Sequence, residues 1–282
     1  MNKEKSDKEV YALDELIEEG KKIVEAGETS YIDIKIDRDE FNILLNKIEG
    51  KARCLYFHLM GEPLCHPDLE KFLAIANAHG FKVILTTNGT LLAKQQEILQ
   101  NAAALHKINI SLHAFESNDL AIPFEQYLDD CFAFGKAMNG NKIVVYRLWN
   151  QGGADELNDS ILNRMQLFFP NSWVKERQGI RIADRTYIEH GDKFDWPDLS
   201  APEGDSKVFC YGLRDQLGVL CDGTVVPCCL DHEGDLELGN LFDTDLERIL
   251  SSPRAQAIYH GFTRKEAMEP LCRRCGYARR FQ

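Results

Sequence analysis

The sequence predicts an α/β fold built on a parallel sheet, followed by a smaller cysteine-rich unit. Three observations carry this. Short apolar runs alternate with amphipathic helical patterns between about residues 54 and 169. The runs show little polar alternation, the pattern of strands covered on both faces. Six of the nine cysteines fall from Cys210 onward. Four or more βα units at this spacing fit a full or partial βα barrel or a doubly wound sheet.

Each element has its own signal. Residues 10–25 read as an amphipathic helix, with Leu13, Leu16, Ile17, Ile23 and Val24 on one side, stopped at Gly27. Residues 31–36 alternate apolar and polar, as a strand does. Asp37 then has the character of an N-cap, with Glu40 three residues on as its capping-box partner and Phe41, Leu44, Leu45 and Ile48 as the apolar helix face. Strands are expected over 54–59, 81–85, 108–112 and 143–148, and helices over 67–79, 90–103, 124–138 and 155–169. Pro67 suits a first helical turn and Gly80 a helix C-cap. A further strand is expected over 180–188, then a long loop over 189–207. Strands over 217–220 and 224–227 flank Asp222-Gly223, a hairpin signal. A helix over 246–260 follows. The expected organisation is an N-terminal helical extension (1–30), an α/β unit (31–190) and a C-terminal unit (191–282).

Composition narrows the function. A hydrophobic fraction of 44% with 28% charged residues is that of a folded globular chain, not a disordered one. The formal net charge is −12, which argues against a nucleic-acid partner bound through a broad basic face. No apolar run has the length of a membrane helix, and the charged first residues lack a secretory core. A cytoplasmic location without membrane association is the expectation. In a reducing compartment, nine cysteines point to metal ligation or redox chemistry rather than structural disulfides.

Cys272 and Cys275 form a Cys-x-x-Cys pair, which presents two thiolates to one metal centre. Cys210 and Cys228 flank the Gly223 turn, so a hairpin can bring them together towards that pair. Four thiolates can then enclose a zinc ion or a four-iron cluster. Cys228 and Cys229 are adjacent and point in different directions on a strand, so they do not serve one metal together. Cys54 and Cys131 fit a packing role.

Polar groups also gather at strand ends. Gly61-Glu62-Pro63 follows the first strand of the repeating series, Thr87-Asn88 the second, Ser111 ends the third and Arg147 lies in the fourth. Ligands bind at that edge of parallel α/β sheets. His66 precedes Pro67 beside this edge, where a structural role outweighs a catalytic one. No residue stands out as a catalytic acid, base or nucleophile.

Gly-Glu-Pro-Leu followed by His-Pro-Asp-Leu, and then Thr-Thr-Asn-Gly-Thr-Leu-Leu, resembles the radical S-adenosylmethionine (SAM) superfamily over roughly residues 37–190. The C-terminal pattern Cys210, Gly223, Cys228 and the pair Cys272/Cys275, ending Cys-Arg-Arg-Cys-Gly, resembles the SPASM/twitch extension of those enzymes. The resemblance implies a partial (βα) barrel with a small iron–sulfur domain. It implies an auxiliary 4Fe-4S cluster held by Cys210, Cys228, Cys272 and Cys275. It further implies SAM contacts from Gly61, Glu62, Pro63, Thr87, Asn88, Ser111 and Arg147.

One departure stands beside the match. The superfamily holds its SAM-cleaving cluster in a Cys-x3-Cys-x2-Cys loop after the first strand. This sequence has no such triplet and no cysteine before Cys54. The expected function is an iron–sulfur protein related to enzymes that modify a peptide, protein or small molecule through a 5′-deoxyadenosyl radical. A flavodoxin or ferredoxin would be the electron donor. The alternative is a non-catalytic binding module that keeps the cluster for recognition or relay, and a third reading is a zinc-stabilised scaffold.

Overall fold

The computed structural model describes residues 36–58, 61–117, 122–138, 140–177 and 179–281. The helix expected over 10–25 and all but the last residue of the strand expected over 31–36 lie outside the described residues. The first described helix, α1 (Arg38–Ile48), opens with the expected capping box. Asp37 Oδ1 accepts from the Asp39 and Glu40 amides at 2.8 Å, and Glu40 Oε2 accepts from the Asp37 amide at 2.9 Å. Two of the helix's orphan donors and the cap's own amide are thereby satisfied.

The chain then runs β1 (Cys54–Phe57), a 3₁₀ turn (Pro63–Cys65), α2 (Leu69–Ala78), β2 (Lys82–Thr87), α3 (Leu92–Asn101), β3 (Leu105–Ser111), α4 (Ala114–Ser117), α5 (Phe124–Met138), β4 (Ile143–Gln151) and α6 (Asn158–Phe168). β5 (Val174–Glu176), β6 (Gly179–Ala183) and β7 (Thr186–Asp192) complete a seven-stranded sheet in the order β1-β2-β3-β4-β7-β6-β5. β1 to β4 and β7 are parallel neighbours, and β6 and β5 add an antiparallel edge. The strand order of β1 to β4 follows the sequence with no reversal. Right-handed crossovers then put the intervening helices on one side. This is the singly wound arrangement of a partial βα barrel and excludes the doubly wound alternative.

The sheet is therefore two-faced, which corrects the expectation of strands covered on both sides. Outer residues Val83, Leu85, Ile108, Ile110, Val144, Tyr146 and Leu148 are fully buried in the main core with the helices. Registers Tyr56↔Ile84↔Lys107, Thr86↔Asn109↔Val145↔Tyr187 and Ser111↔Arg147↔Glu189 line the inner face. The strand expected over 180–188 is a hairpin, folded at Asp184-Arg185 with Arg185 at φ 49°.

The C-terminal part holds a three-stranded antiparallel sheet of β8 (Gly218–Val219), β9 (Thr224–Val226) and β10 (Gly239–Asn240). Its β8–β9 turn is the expected Asp222-Gly223, with Gly223 at φ 83° and Asp222 Oδ1 accepting from the Thr224 amide at 3.0 Å. Helices α7 (Leu246–Leu250), α8 (Pro253–Thr263) and α9 (Pro270–Arg273) follow. The single helix expected over 246–260 is thus two. Ser252 caps the second through its hydroxyl, and Pro253 occupies its first turn. Leu44 of α1 packs with Val225, Leu241, Leu246 and Ile249, tying the first helix to the small sheet. Among the described residues, no helix is long and apolar enough to cross a membrane.

Candidate functional site

Two groups of residues meet at the inner face. The first is the strand-end rim. Gly61 turns the chain after β1 with φ 78°, and Pro63 starts the 3₁₀ turn that Glu62 caps. Glu62 Oε1 accepts from the Leu64 amide at 3.0 Å, and Oε2 accepts from the Asn88 amide at 2.8 Å. The carboxylate thus staples the end of β1 to the end of β2. Burial pushes its pKa up, against the pull of these bonds and of one from Thr87. Thr87 is buried and accepts from the Gly89 amide at 3.0 Å. Asn88 Oδ1 accepts from the Thr90 amide and hydroxyl at 3.0 and 2.7 Å. Ser111 and Arg147 are register partners on β3 and β4. Arg147 Nε donates to Glu189 Oε2 at 3.3 Å, and its guanidinium lies 4.4 Å from the Trp149 ring centroid.

These rim residues therefore share one edge. Their hydrogen bonds are largely internal to the turns. His66, beside the same edge, has a structural setting. Its Nδ1 accepts from the Asp68 amide at 3.0 Å and its ring meets Phe72 edge-on.

The second group is the cysteine cluster. Cys210, Cys228, Cys229, Cys272 and Cys275 all belong to one apolar cluster around Val208, Leu230, Ile258, Phe262 and Ala278. Burial raises every one of these thiols, Cys228 to about 12, and charge on neighbouring cysteines raises Cys228, Cys229, Cys272 and Cys275 further. Backbone amides point at the sulfurs. The Gly212 amide donates to Cys210 Sγ at 3.4 Å, Leu230 faces Cys228, and Tyr277 and Ala278 face Cys275. Amide donors around thiolates are a feature of iron–sulfur sites, where they tune potential.

Among the described residues, no three His, Cys, Asp or Glu side chains are grouped as a single ion requires. Zinc needs its sulfurs about 2.3 Å from one centre. A cubane instead takes each thiolate on a different iron, so its ligands stand further apart. A partly buried, all-thiol donor set with amide donors fits a four-iron cluster. Cys221 is exposed, away from this cluster.

Two clefts run between the inner face and the C-terminal part. One, of about 270 Å³, is lined by Trp149, Glu189, His190, Tyr277, Arg280 and Phe281. The other, of about 260 Å³, joins Tyr56 of β1 to Cys210, Tyr211, Tyr277 and Phe281. A candidate cluster ligand thus lines a cleft that opens on the sheet.

The family of SPASM iron–sulfur cluster-binding domains matches residues 210–276. Solved structures share the fold along most of the chain. BtrN in an open conformation is 16% identical, with 85% of this chain and 79% of that one covered and a TM-score of 0.50. SuiB of Streptococcus suis bound to S-adenosylmethionine is 14% identical, with 88% and 65% covered and a TM-score of 0.54. The enzyme anSMEcpe with bound AdoMet and a Cp18Cys peptide is 13% identical, with 86% and 79% covered and a TM-score of 0.54. Residues 210–276 thus match the SPASM iron–sulfur cluster-binding domain, and most of the chain shares the fold of these structures. No curated protein sequence matches it.

The SPASM match spans all four expected cluster cysteines and also Cys229. Sequence reasoning set Cys229 aside because of its neighbour. The structure puts it in the same cluster, with Arg147 and Tyr56 also within its electrostatic reach. Sequence reasoning overlooked Lys107 and Glu189 on the inner face. The available signal was the period of two across 105–111, which begins with Lys107 rather than with the apolar run at Ile108.

Proposed function

We propose that this protein is a SPASM-type iron–sulfur protein that recognises a peptide or small-molecule substrate between its inner sheet face and its cluster, and does not itself cleave SAM. The observation that carries the reading is that Cys210, Cys228, Cys272 and Cys275 pack into one apolar cluster, in a sequence that supplies no Cys-x3-Cys-x2-Cys triplet. The residues fit one cluster and not the second.

When bound, a four-iron cluster supplies one-electron chemistry or an anchoring point for substrate. The chain's own part is derived from its residues. Cys210, Cys228, Cys272 and Cys275 would hold the cluster, and the amides of Gly212, Leu230, Tyr277 and Ala278 stabilise negative charge on the sulfurs. Tyr56, Tyr211, Tyr277 and Phe281 wall the adjacent cleft. That anSMEcpe was crystallised with a peptide supports a peptide as the substrate.

The test is anaerobic incubation of the iron-loaded full chain with dithionite and SAM. The reading expects no 5′-deoxyadenosine above a protein-free control. Turnover to 5′-deoxyadenosine by the purified chain would overturn it and restore the radical enzyme.

A further inference from the structure

The cleft that joins Tyr56 to Cys210, about 260 Å³ in volume, is walled by four aromatic rings, those of Tyr56, Tyr211, Tyr277 and Phe281. Tyr56 is 56% exposed and Tyr211 is 40% exposed, so large aromatic surface stands open to solvent here. The rings are not stacked. Phe281 meets Tyr211 at 5.2 Å between centroids with 85° between the planes, and meets Tyr277 at 5.4 Å with 81°. Parallel rings form a flat slot for a planar group. Rings at right angles instead wall a compact volume, and their negative faces attract a cation.

The only charged side chain lining this cleft is negative. Asp215 is exposed, and among the described residues its carboxylate makes no hydrogen bond or ion pair. The cations nearby are engaged elsewhere. Arg214 lies over Phe209 and Tyr259 and donates to Thr263 Oγ1 at 3.4 Å. Arg147, whose field reaches Tyr56 and Tyr277, is paired with Glu189 at 3.3 Å. Arg280 lines the neighbouring cleft and donates to the Asp192 carbonyl at 3.0 Å. Its guanidinium lies 5.4 Å from the Tyr277 centroid, so one wall already holds a cation on that side. Tyr211 and Phe281 carry none among the described residues.

We propose that this cleft binds an alkylammonium group, its cation held against the Tyr211 and Phe281 rings and paired with Asp215. A compact ammonium suits perpendicular walls, whereas a guanidinium stacks flat on one ring. The alkyl stem would cover aromatic surface while the charged head meets the carboxylate. Such a group is the side chain of lysine in a peptide, and equally a free alkylamine. The net charge of −12 favours encounter with either cation. The inference rests on the reading of this cleft as the substrate site, and names what the site selects.

The test uses the anaerobically purified full chain and isothermal titration with Ac-Gly-Lys-Gly-NH2, its norleucine and arginine counterparts, and n-butylammonium. The lysine peptide should bind about tenfold more tightly than the norleucine peptide, and more tightly than the arginine peptide. D215N and Y211L should each cut the preference for lysine over norleucine severalfold, and Y211F should keep it, with iron content as in the wild type. Tighter binding of n-butylammonium than of the lysine peptide assigns a small-molecule ligand, and the reverse assigns a peptide. Equal or undetectable binding of the lysine and norleucine peptides by an iron-loaded chain, a preference for arginine, or a lysine preference undiminished in both D215N and Y211L overturns the ammonium site alone. Absence of iron from the wild-type chain would instead overturn the reading on which it rests.

Discussion

Glu62 has a cost that its partners only partly offset. Its carboxylate is buried, so ionisation is penalised, yet both oxygens accept amide protons that nothing else in the turn would satisfy. E62Q keeps one acceptor and turns an amide group against the other donor. A loss of about 1–3 kcal/mol in a denaturation experiment at neutral pH is expected. The pH dependence has a definite sign. The folded-state pKa is raised above its ordinary 4.5, so the folded chain holds this proton more tightly than the unfolded chain. Glu62 therefore contributes stability that is fully present below 4.5 and is lost as pH rises through the raised folded value. Unfolding midpoints measured across that window should fall more steeply with pH in the wild type than in E62Q. Parallel pH profiles would show that the carboxylate is not in the buried, amide-bound setting.

At the level of elements, the tightest fit is between α5 and β4. Gly135 of α5 faces the Tyr146 ring of β4, and a Cβ there would run into the phenol oxygen. That hydroxyl donates to the Cys131 carbonyl at 3.0 Å, and Tyr146 is fully buried, so it has little room to yield. G135A should destabilise the chain by about 1–3 kcal/mol through overpacking, measured by urea denaturation. A neutral effect would mean that α5 stands further from the sheet. S252A should cost about 1 kcal/mol by removing the cap of α8. Ser252 also illustrates what the sequence hides. The apolar spacing over 246–260 is continuous, because α7 presents Leu246 and Ile249 inward and α8 presents Ala255 and Ile258. Only Ser252-Pro253 marks the break, as a cap and first-turn pair that a periodicity reading passes over. The capping box at Asp37, the turn at Gly223 and the strand–helix alternation are local and were legible. The polar inner row was not. A strand read as Ile108–Leu112 loses Lys107, and with it the alternation Lys107, Asn109, Ser111 that faces away from the helices.

Across the whole molecule, two signals of different range come together. The four expected cluster cysteines are spread over 66 positions of sequence, from Cys210 to Cys275, so no local pattern fixes their meeting. The small sheet and α8 to α9 bring them into one apolar pocket, and the same segment sets Tyr277 and Phe281 against the inner face of the large sheet. Substrate recognition and the cluster site are thus neighbours because one C-terminal segment serves both. Cys229 is the sharpest test of that geometry, since it shares the pocket but follows Cys228 directly. The most direct measurement is the iron and acid-labile sulfide content of the anaerobically purified chain, alongside C228A and C229A. The account predicts about four of each per wild-type chain, the same in C229A, and loss of the cluster absorbance in C228A. One zinc per chain without iron, or loss of iron in C229A with retention in C228A, would contradict it.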